Sequence, residues 1–345
     1  KRPSVETSMH NVINYAFVVH LHPTIVNGLM CAVNAATALK NLFGEKVLYV
    51  EYTDPGYVLF KKVDEKIKEY RWKFNEEPQV IWLQNHGIFV AADSIEEVRS
   101  MYDSILATLE KAVGTPLPEG EREVCRSAIE VLPAIRMLVS KDSLKTLKTR
   151  RNRLIEYFCD TPGNQAAIDK PFTPDAIVYC KSNYLFFNDE TAEQVLANAK
   201  ESIPGFVNSF GYLPKVLLIK GIGLVAVGDN ARQCDTILDV FEDAMKVAFL
   251  SQSFGGAHPM TQAQIEFIDN WEVENYRRGV AAGNASGRVE NKTIVVTGGA
   301  QGFGEGIAEC LLREGANIVV ADLNEEAGRK TIGKFNRSEE HTSEL

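Results

Sequence analysis

The sequence has no Cys-x-x-Cys pair, no apolar stretch approaching the roughly 18 residues of a membrane span, and no excess of positive charge. Its six cysteines, Cys31, Cys125, Cys159, Cys180, Cys234 and Cys310, lie far apart. That argues against a disulfide framework and against a thiolate metal site, and it fits a reducing cytoplasm. The N-terminus has no charged-then-apolar signal pattern, so nothing points to export. Lys and Arg number 37 against 46 Asp and Glu, a formal charge of −9, which repels phosphate backbones and anionic membranes at long range. Neither nucleic acid nor membrane is therefore an expected partner. What is present is globular in character: 45% hydrophobic and 24% charged residues, with three Trp and eleven Tyr, support substantial cores. At 345 residues the chain exceeds one ordinary core, and about two or three domains are expected.

Helical and strand signals alternate. Residues 6–16 read as a helix, 17–22 as a strand stopped by Pro23, and 24–42 as helix again. Two β-rich runs flank Asn85-His86-Gly87, and Asp93-Ser94 supplies an N-cap for a helix to about Val113. The segment from Pro78 to Val90 aligns without gaps onto Pro214 to Ala226, and Asp93, Asp103 and Ala112 then meet Asp229, Asp239 and Ala248. Two related halves follow. Ile222 stands where the first copy has His86, so the second copy reads as structural. Between the copies, Lys141, Lys145, Lys148, Arg150, Arg151 and Arg153 form a basic run read as a solvated helix face. The small residues from Ala281 to Gly287 mark a linker.

Four of the six histidines fall early in the chain. In His20-Leu21-His22 the two-residue period of a strand puts both imidazoles on one face. His86, at a turn beside Gly87, adds a third nitrogen, giving a three-histidine site with one open position, the form used in catalysis. Alone, His-x-His is better explained by two histidines without metal. The context is more specific. Pro3-Ser4-Val5-Glu6, His20-Leu21-His22-Pro23 and Asn85-His86-Gly87 resemble, in order and spacing, the class II aldolase family. The resemblance implies that His20, His22 and His86 bind Zn2+, that Glu6 is the general base, and that Ser4 helps bind a substrate phosphate, although a plain helix cap explains Ser4 equally well. Neutral imidazoles leave Zn2+ its full charge, suited to holding a hydroxyketone and stabilising the negative charge left by carbon–carbon cleavage. A nearby carboxylate can move the proton. Tyr49, Tyr52 and Tyr57 lie in a plausible region for a proton donor, but none is assigned.

After the linker, a strand over 292–297 leads into Gly298-Gly299-Ala300-Gln301-Gly302-Phe303-Gly304, a helix to about Arg313, and a second strand over 317–321 ending at Asp322. The glycines permit close approach of a pyrophosphate to a helix N-terminus, and Asp322 can accept from ribose hydroxyls, favouring NAD over NADP. The run from Thr297 to Gly304 resembles the short-chain dehydrogenase fingerprint, with Phe303 where a smaller aliphatic residue is usual. The cofactor-binding set is Thr297, Gly298, Gly302, Phe303, Gly304 and Asp322. The family's catalytic Tyr-x-x-x-Lys would lie beyond residue 345, so hydride transfer by this segment is not expected.

The expected architecture is α/β: a class II aldolase-like layered α/β domain with a degenerate second copy, followed by the first βαβ unit of a Rossmann fold. Residues 1–118 form the aldolase-like catalytic region, 119–280 the degenerate copy with connecting helices, 281–287 the linker, and 288–336 the start of the NAD-binding domain. Residues 337–345, including His341, resemble a translated sequencing adapter and are set aside. Residue 1 is Lys and the chain opens inside a motif, so a true start upstream is expected. The order of motifs is similar to bifunctional rhamnulose-1-phosphate aldolase/short-chain dehydrogenases. That implies cleavage of a 6-deoxyketose 1-phosphate to dihydroxyacetone phosphate and lactaldehyde, with the dehydrogenase acting on the aldehyde. It also implies a homo-oligomer. A sugar-phosphate epimerase, another aldol specificity, or a metal-free scaffold carrying an NAD dehydrogenase are the alternatives.

Overall fold

The computed structural model describes residues 6–141, 143–161, 163–271 and 287–340. Two four-stranded sheets carry the chain as far as residue 250. The first contains β1 (Phe17–Leu21), β2 (Leu48–Val50), β3 (Val80–Leu83) and β4 (Gly87–Ala92), in the spatial order β1-β4-β3-β2. The second contains β5 (Thr146–Arg150), β6 (Leu185–Phe187), β7 (Val216–Ile219) and β8 (Gly223–Gly228), in the order β5-β8-β7-β6. Pairing is the same in both: antiparallel for β1–β4, β4–β3, β5–β8 and β8–β7, parallel for β3–β2 and β7–β6. Leu83 faces Gly87 as Ile219 faces Gly223. The repeat read from the sequence is thus a repeat of topology and register.

The central strands are apolar throughout because both faces are covered. In the first sheet Ile81, Leu83 and Phe89 pack towards helix Tyr57–Phe74 through Leu59, Val63 and Ile67. Trp82, Ile88 and Val90 pack on the other face against Val98, Tyr102, Ile105 and Leu109 of helix Ile95–Ala112. Ser94 caps that helix by accepting from the Glu97 N–H. In the second sheet Leu217, Ile219 and Val225 join Val131, Ile135 and Ile203, while Leu218 and Leu224 join Ile237, Leu238 and Met245 of helix Ala231–Leu250. Each half is a helix–sheet–helix layer, and the fold class is mixed α/β as expected. No described helix is long and apolar enough to cross a membrane.

Three expectations are corrected. The helix expected over 24–42 is two helices, Thr24–Met30 and Ala35–Phe43. The break arises because backbone groups of residues 31–34 bond the segment 254–258 instead. His258 N–H donates to the Cys31 carbonyl (2.7 Å), Val33 N–H to Gly256 (3.0 Å) and Asn34 N–H to Phe254 (3.1 Å). The basic run is not a solvated helix face: its centre is strand β5, and its charges meet acids. Lys148 pairs with Asp235 (2.6 Å), and Arg150 pairs with Asp239 (2.7 Å) and Glu242 (2.6 Å), all on one stripe of helix Ala231–Leu250. Arg151 pairs with Asp160 (2.9 Å). At the C-terminal end, helix Glu325–Glu340 continues past residue 337, where the regular structure was expected to stop.

Strands β9 (Thr293–Thr297) and β10 (Asn317–Ala321) are parallel, with helix Gly302–Arg313 between them in sequence. This unit is tied to the second copy by Asn291, a buried residue with φ of 58°. Its side chain donates to the carbonyls of Leu144 (3.0 Å) and Asp229 and accepts from the Thr146 hydroxyl (2.8 Å). Arg136 donates to its carbonyl (2.5 Å).

Candidate metal centre and nucleotide turn

Strand β1 delivers His20 opposite Phe89 of β4, and the imidazole stacks on that ring with centroids 4.0 Å apart. His22 follows one residue past the strand, and His86 sits in the β3–β4 turn. Glu6 lies immediately before the short helix Thr7–Val12. The four side chains converge, with one ligand atom from each lying within 4.8 Å of all the others. His22 Nε2 and His20 Nε2 are 2.9 Å apart, and His20 Nε2 and His86 Nε2 are 3.4 Å apart. Glu6 Oε1 lies 3.4 Å from His20 Nε2 and 3.3 Å from His86 Nε2.

The outer nitrogens fix which way the inner ones face. His20 Nδ1–H donates to the Ile88 carbonyl (2.9 Å), and His22 Nδ1–H donates to the Asp175 carboxylate (2.8 Å). In the neutral rings, both Nε2 atoms then present lone pairs to each other. Lone pairs at that distance repel unless a cation or proton lies between them. Two nitrogens bound ~2.0–2.1 Å from one tetrahedral ion stand roughly 3.3 Å apart, so the donor set fits such an ion. Burial pushes the His86 imidazole below its usual value, favouring the neutral, ligating form. Burial raises the Glu6 carboxyl, and hydrogen bonds and charge from His20 and His86 outweigh it only where those rings are protonated; with neutral rings that present Nε2 lone pairs, a bound cation takes that part. The Glu6 carboxylate lies beside this nitrogen cluster, within reach of the same point.

The turn explains its own sequence. Asn85 adopts φ of 53°, and its amide donates to the carbonyls of Phe172 (2.9 Å) and His258 (2.8 Å). A Cβ at Gly87 would come 2.6 Å from the Leu21 carbonyl and would strike the His22 ring, so only glycine lets the two strands bring His22 and His86 together. The second copy keeps the close approach without the chemistry. A Cβ at Gly223 would come 2.6 Å from the Arg150 carbonyl. By register, however, Thr149, Arg151 and Ile222 stand where the first copy has His20, His22 and His86.

Of the other residues singled out, Ser4 lies outside the described residues, as do 281–286 and His341. Tyr57 is exposed, Tyr49 packs against the first core, and Tyr52 packs beside Ile177, Met260 and Trp271. His10 lies edge-on to Phe89. Sequence reasoning missed Asp175. Thr173-Pro174-Asp175 reads only as the start of helix Pro174–Cys180, whose N-cap is Thr173, and no local signal says that its carboxylate meets a histidine 153 residues away.

In the C-terminal unit Thr297 ends β9, and the Gly298 N–H donates to Ala321 (2.8 Å). Gly302 and Phe303 open the helix, with Phe303 almost fully exposed. A Cβ on Gly304 would collide with the Gly298 carbonyl, which keeps the turn tight. Asp322 accepts from Ala300 N–H (3.1 Å) and Asn324 N–H (2.9 Å), and those bonds, Asn324's first, hold its carboxyl below the usual range.

Two family models match parts of the chain. Residues 1–111 match the family model of the Class II Aldolase and Adducin N-terminal domain, and residues 292–343 match that of short chain dehydrogenase. A class II aldolase domain is thus joined to a short-chain dehydrogenase segment. The Bacillus subtilis (strain 168) protein named uncharacterized oxidoreductase YuxG is 24% identical over 369 residues, covering 97% of this chain and 52% of that protein. Sorbitol dehydrogenase of Cereibacter sphaeroides is 48% identical over 48 residues, covering 14% of this chain and 19% of that protein. The 2,5-dichloro-2,5-cyclohexadiene-1,4-diol dehydrogenase of Sphingobium indicum is 48% identical over 44 residues, 13% of this chain and 18% of that protein. The chain spans about half the length of YuxG and less of the other two. No solved structure matches.

Proposed function

We propose that the aldolase domain carries out zinc-dependent retro-aldol cleavage of a 6-deoxyketose 1-phosphate, and that the short-chain dehydrogenase whose first βαβ unit this chain carries acts on the released aldehyde with NAD. The observation that carries this reading is the convergence of Glu6, His20, His22 and His86 on one point. Bound there, Zn2+ would supply a positive charge that stabilises the electron pair left by carbon–carbon cleavage. The three imidazoles hold the site, with His20 and His22 oriented by Ile88 and Asp175. Glu6 Oε1 lies 3.4 Å from His20 Nε2 and 3.3 Å from His86 Nε2, close enough for its carboxylate to take up or return a proton at a hydroxyketone that the metal would hold. In the reaction the bond between the third and fourth carbons breaks and its electron pair goes to the third carbon. The proton of the hydroxyl on the fourth carbon is lost, and the third carbon gains one. The products, dihydroxyacetone phosphate and lactaldehyde, then balance the substrate. Ser4 is assigned to the phosphate, and a homo-oligomer in the cytoplasm is the expected setting.

The name of YuxG speaks of oxidoreduction, in keeping with the C-terminal segment. The tight turn from Gly298 to Gly304 suits a pyrophosphate, and the ionised Asp322 suits ribose hydroxyls and opposes a 2′-phosphate. Zinc content per folded chain tests the first half directly. About one zinc per chain is expected, lost in a His20→Ala/His22→Ala variant that remains folded. A well-folded parent that takes up no zinc under zinc-replete conditions would sink the intact-site reading and favour a metal-free scaffold.

A further inference from the structure

The second copy has lost all three imidazole positions, yet it reaches into the first copy's site. Asp175, on helix Pro174–Cys180, accepts from His22 Nδ1–H at 2.8 Å. The Phe172 carbonyl, one residue before that helix's Thr173 cap, accepts from Asn85 Nδ2, in the turn that carries His86. We infer that Asp175 is a positioning residue for the metal centre, through which the degenerate copy sets the tautomer and orientation of His22. This assignment rests on the zinc reading above.

The physical argument turns on His22's place in the chain. His20 is held on strand β1 by the ladder, by the Ile88 carbonyl and by the Phe89 ring. His22 lies beyond the last β1–β4 pair, and its side chain is 30% exposed against 6% for His20. Among the described residues the ring's Nδ1 is met by Asp175 rather than by a strand carbonyl, and that acceptor keeps the proton on Nδ1 and the Nε2 lone pair turned inward. A carboxylate does this better than a carbonyl, because its charge also raises the donor strength of the ring towards a metal. The same contact accounts for a duplicated half whose own site is gone. Its helix Ala231–Leu250 approaches helix Thr24–Met30 closely enough that a Cβ on Gly28 would lie 2.7 Å from the Leu250 Cβ, and that packing brings Asp175 and His22 together.

The test compares the full chain with Asp175→Ala and Asp175→Asn. Zinc affinity is measured by competition with a chromogenic chelator, and the His22 tautomer by side-chain ¹H–¹⁵N correlation in the metal-free protein. Loss of a group of this kind costs ~10–100-fold in metal affinity, and that fall is expected for Asp175→Ala, with Nε2-protonated His22 becoming populated. A merely structural role would not move the tautomer. A folded Asp175→Ala chain with affinity within about twofold of the parent, against the ~10–100-fold expected, and with His22 still protonated on Nδ1, overturns the assignment. If Asp175→Ala does not fold, Asp175→Asn carries the test: the amide oxygen still accepts, so the tautomer stays while affinity falls, and unchanged affinity overturns it. A parent chain that binds no zinc defeats the metal reading instead, and the tautomer comparison still decides the role of Asp175.

Discussion

At the scale of single residues, the convergence of His22 and His86 depends on an atom that is missing. Gly87 has no Cβ, and the space that one would fill is taken by the Leu21 carbonyl and the His22 ring. Gly87→Ala therefore has to part β1 from β4 or turn His22 away from the cluster. The expected result is a loss of about 1–3 kcal/mol in stability, as for other overpacked sites, together with loss of stoichiometric zinc. Denaturant unfolding and metal analysis on the same preparation check both. Unchanged zinc content would mean that the turn relaxes without moving the ring.

At the scale of elements, β5 and the helix behind it work as a charge ladder. Glu242 is nearly buried and bonds Arg150 (2.6 Å) and Asn152 (3.0 Å). Burial raises its carboxyl, but Arg150, Lys246 and Asn152 outweigh that and lower it below the ordinary value of 4.5. A carboxyl lowered in the folded state contributes its stability fully above the unfolded value and loses it as the pH falls towards the folded one. Glu242→Gln should therefore cost about 1–3 kcal/mol at neutral pH, the worth of a charged hydrogen bond, with the difference from the parent narrowing as the pH drops below 4.5. Urea midpoints at pH 7 and pH 4 check this, and a difference that does not narrow would contradict it. Asp235 and Asp239 are far more exposed, and amides there should cost less than about 1 kcal/mol each.

At the scale of the whole molecule, the second copy is the mount for everything else. One edge meets the histidine cluster through Asp175, and the region around β5 holds the dehydrogenase segment through Asn291. Asn291→Gly keeps the positive φ open while deleting the side chain that bonds Leu144, Thr146 and Asp229. Faster hydrogen exchange is expected around residues 143–146 and 229–231, with zinc content unchanged. Loss of zinc in this variant would mean that the two ends of the second copy are coupled.

Much of this was legible in the sequence because it is local or periodic. The two-residue period of His20 and His22, the turn at Asn85-His86-Gly87, the Ser94 cap, the glycine turn before Asp322 and the 136-residue repeat each follow from spacing along a few residues. What the tertiary structure alone decided is what distant segments do to one another. The helix from Thr24 breaks because residues 254–258 offer its backbone other partners. The basic run becomes a strand because an acidic helix lies behind it. Asp175 meets His22 across 153 residues. A carboxylate at a helix start looks the same in the sequence whether it faces water or an imidazole, and only packing between the two halves distinguishes them.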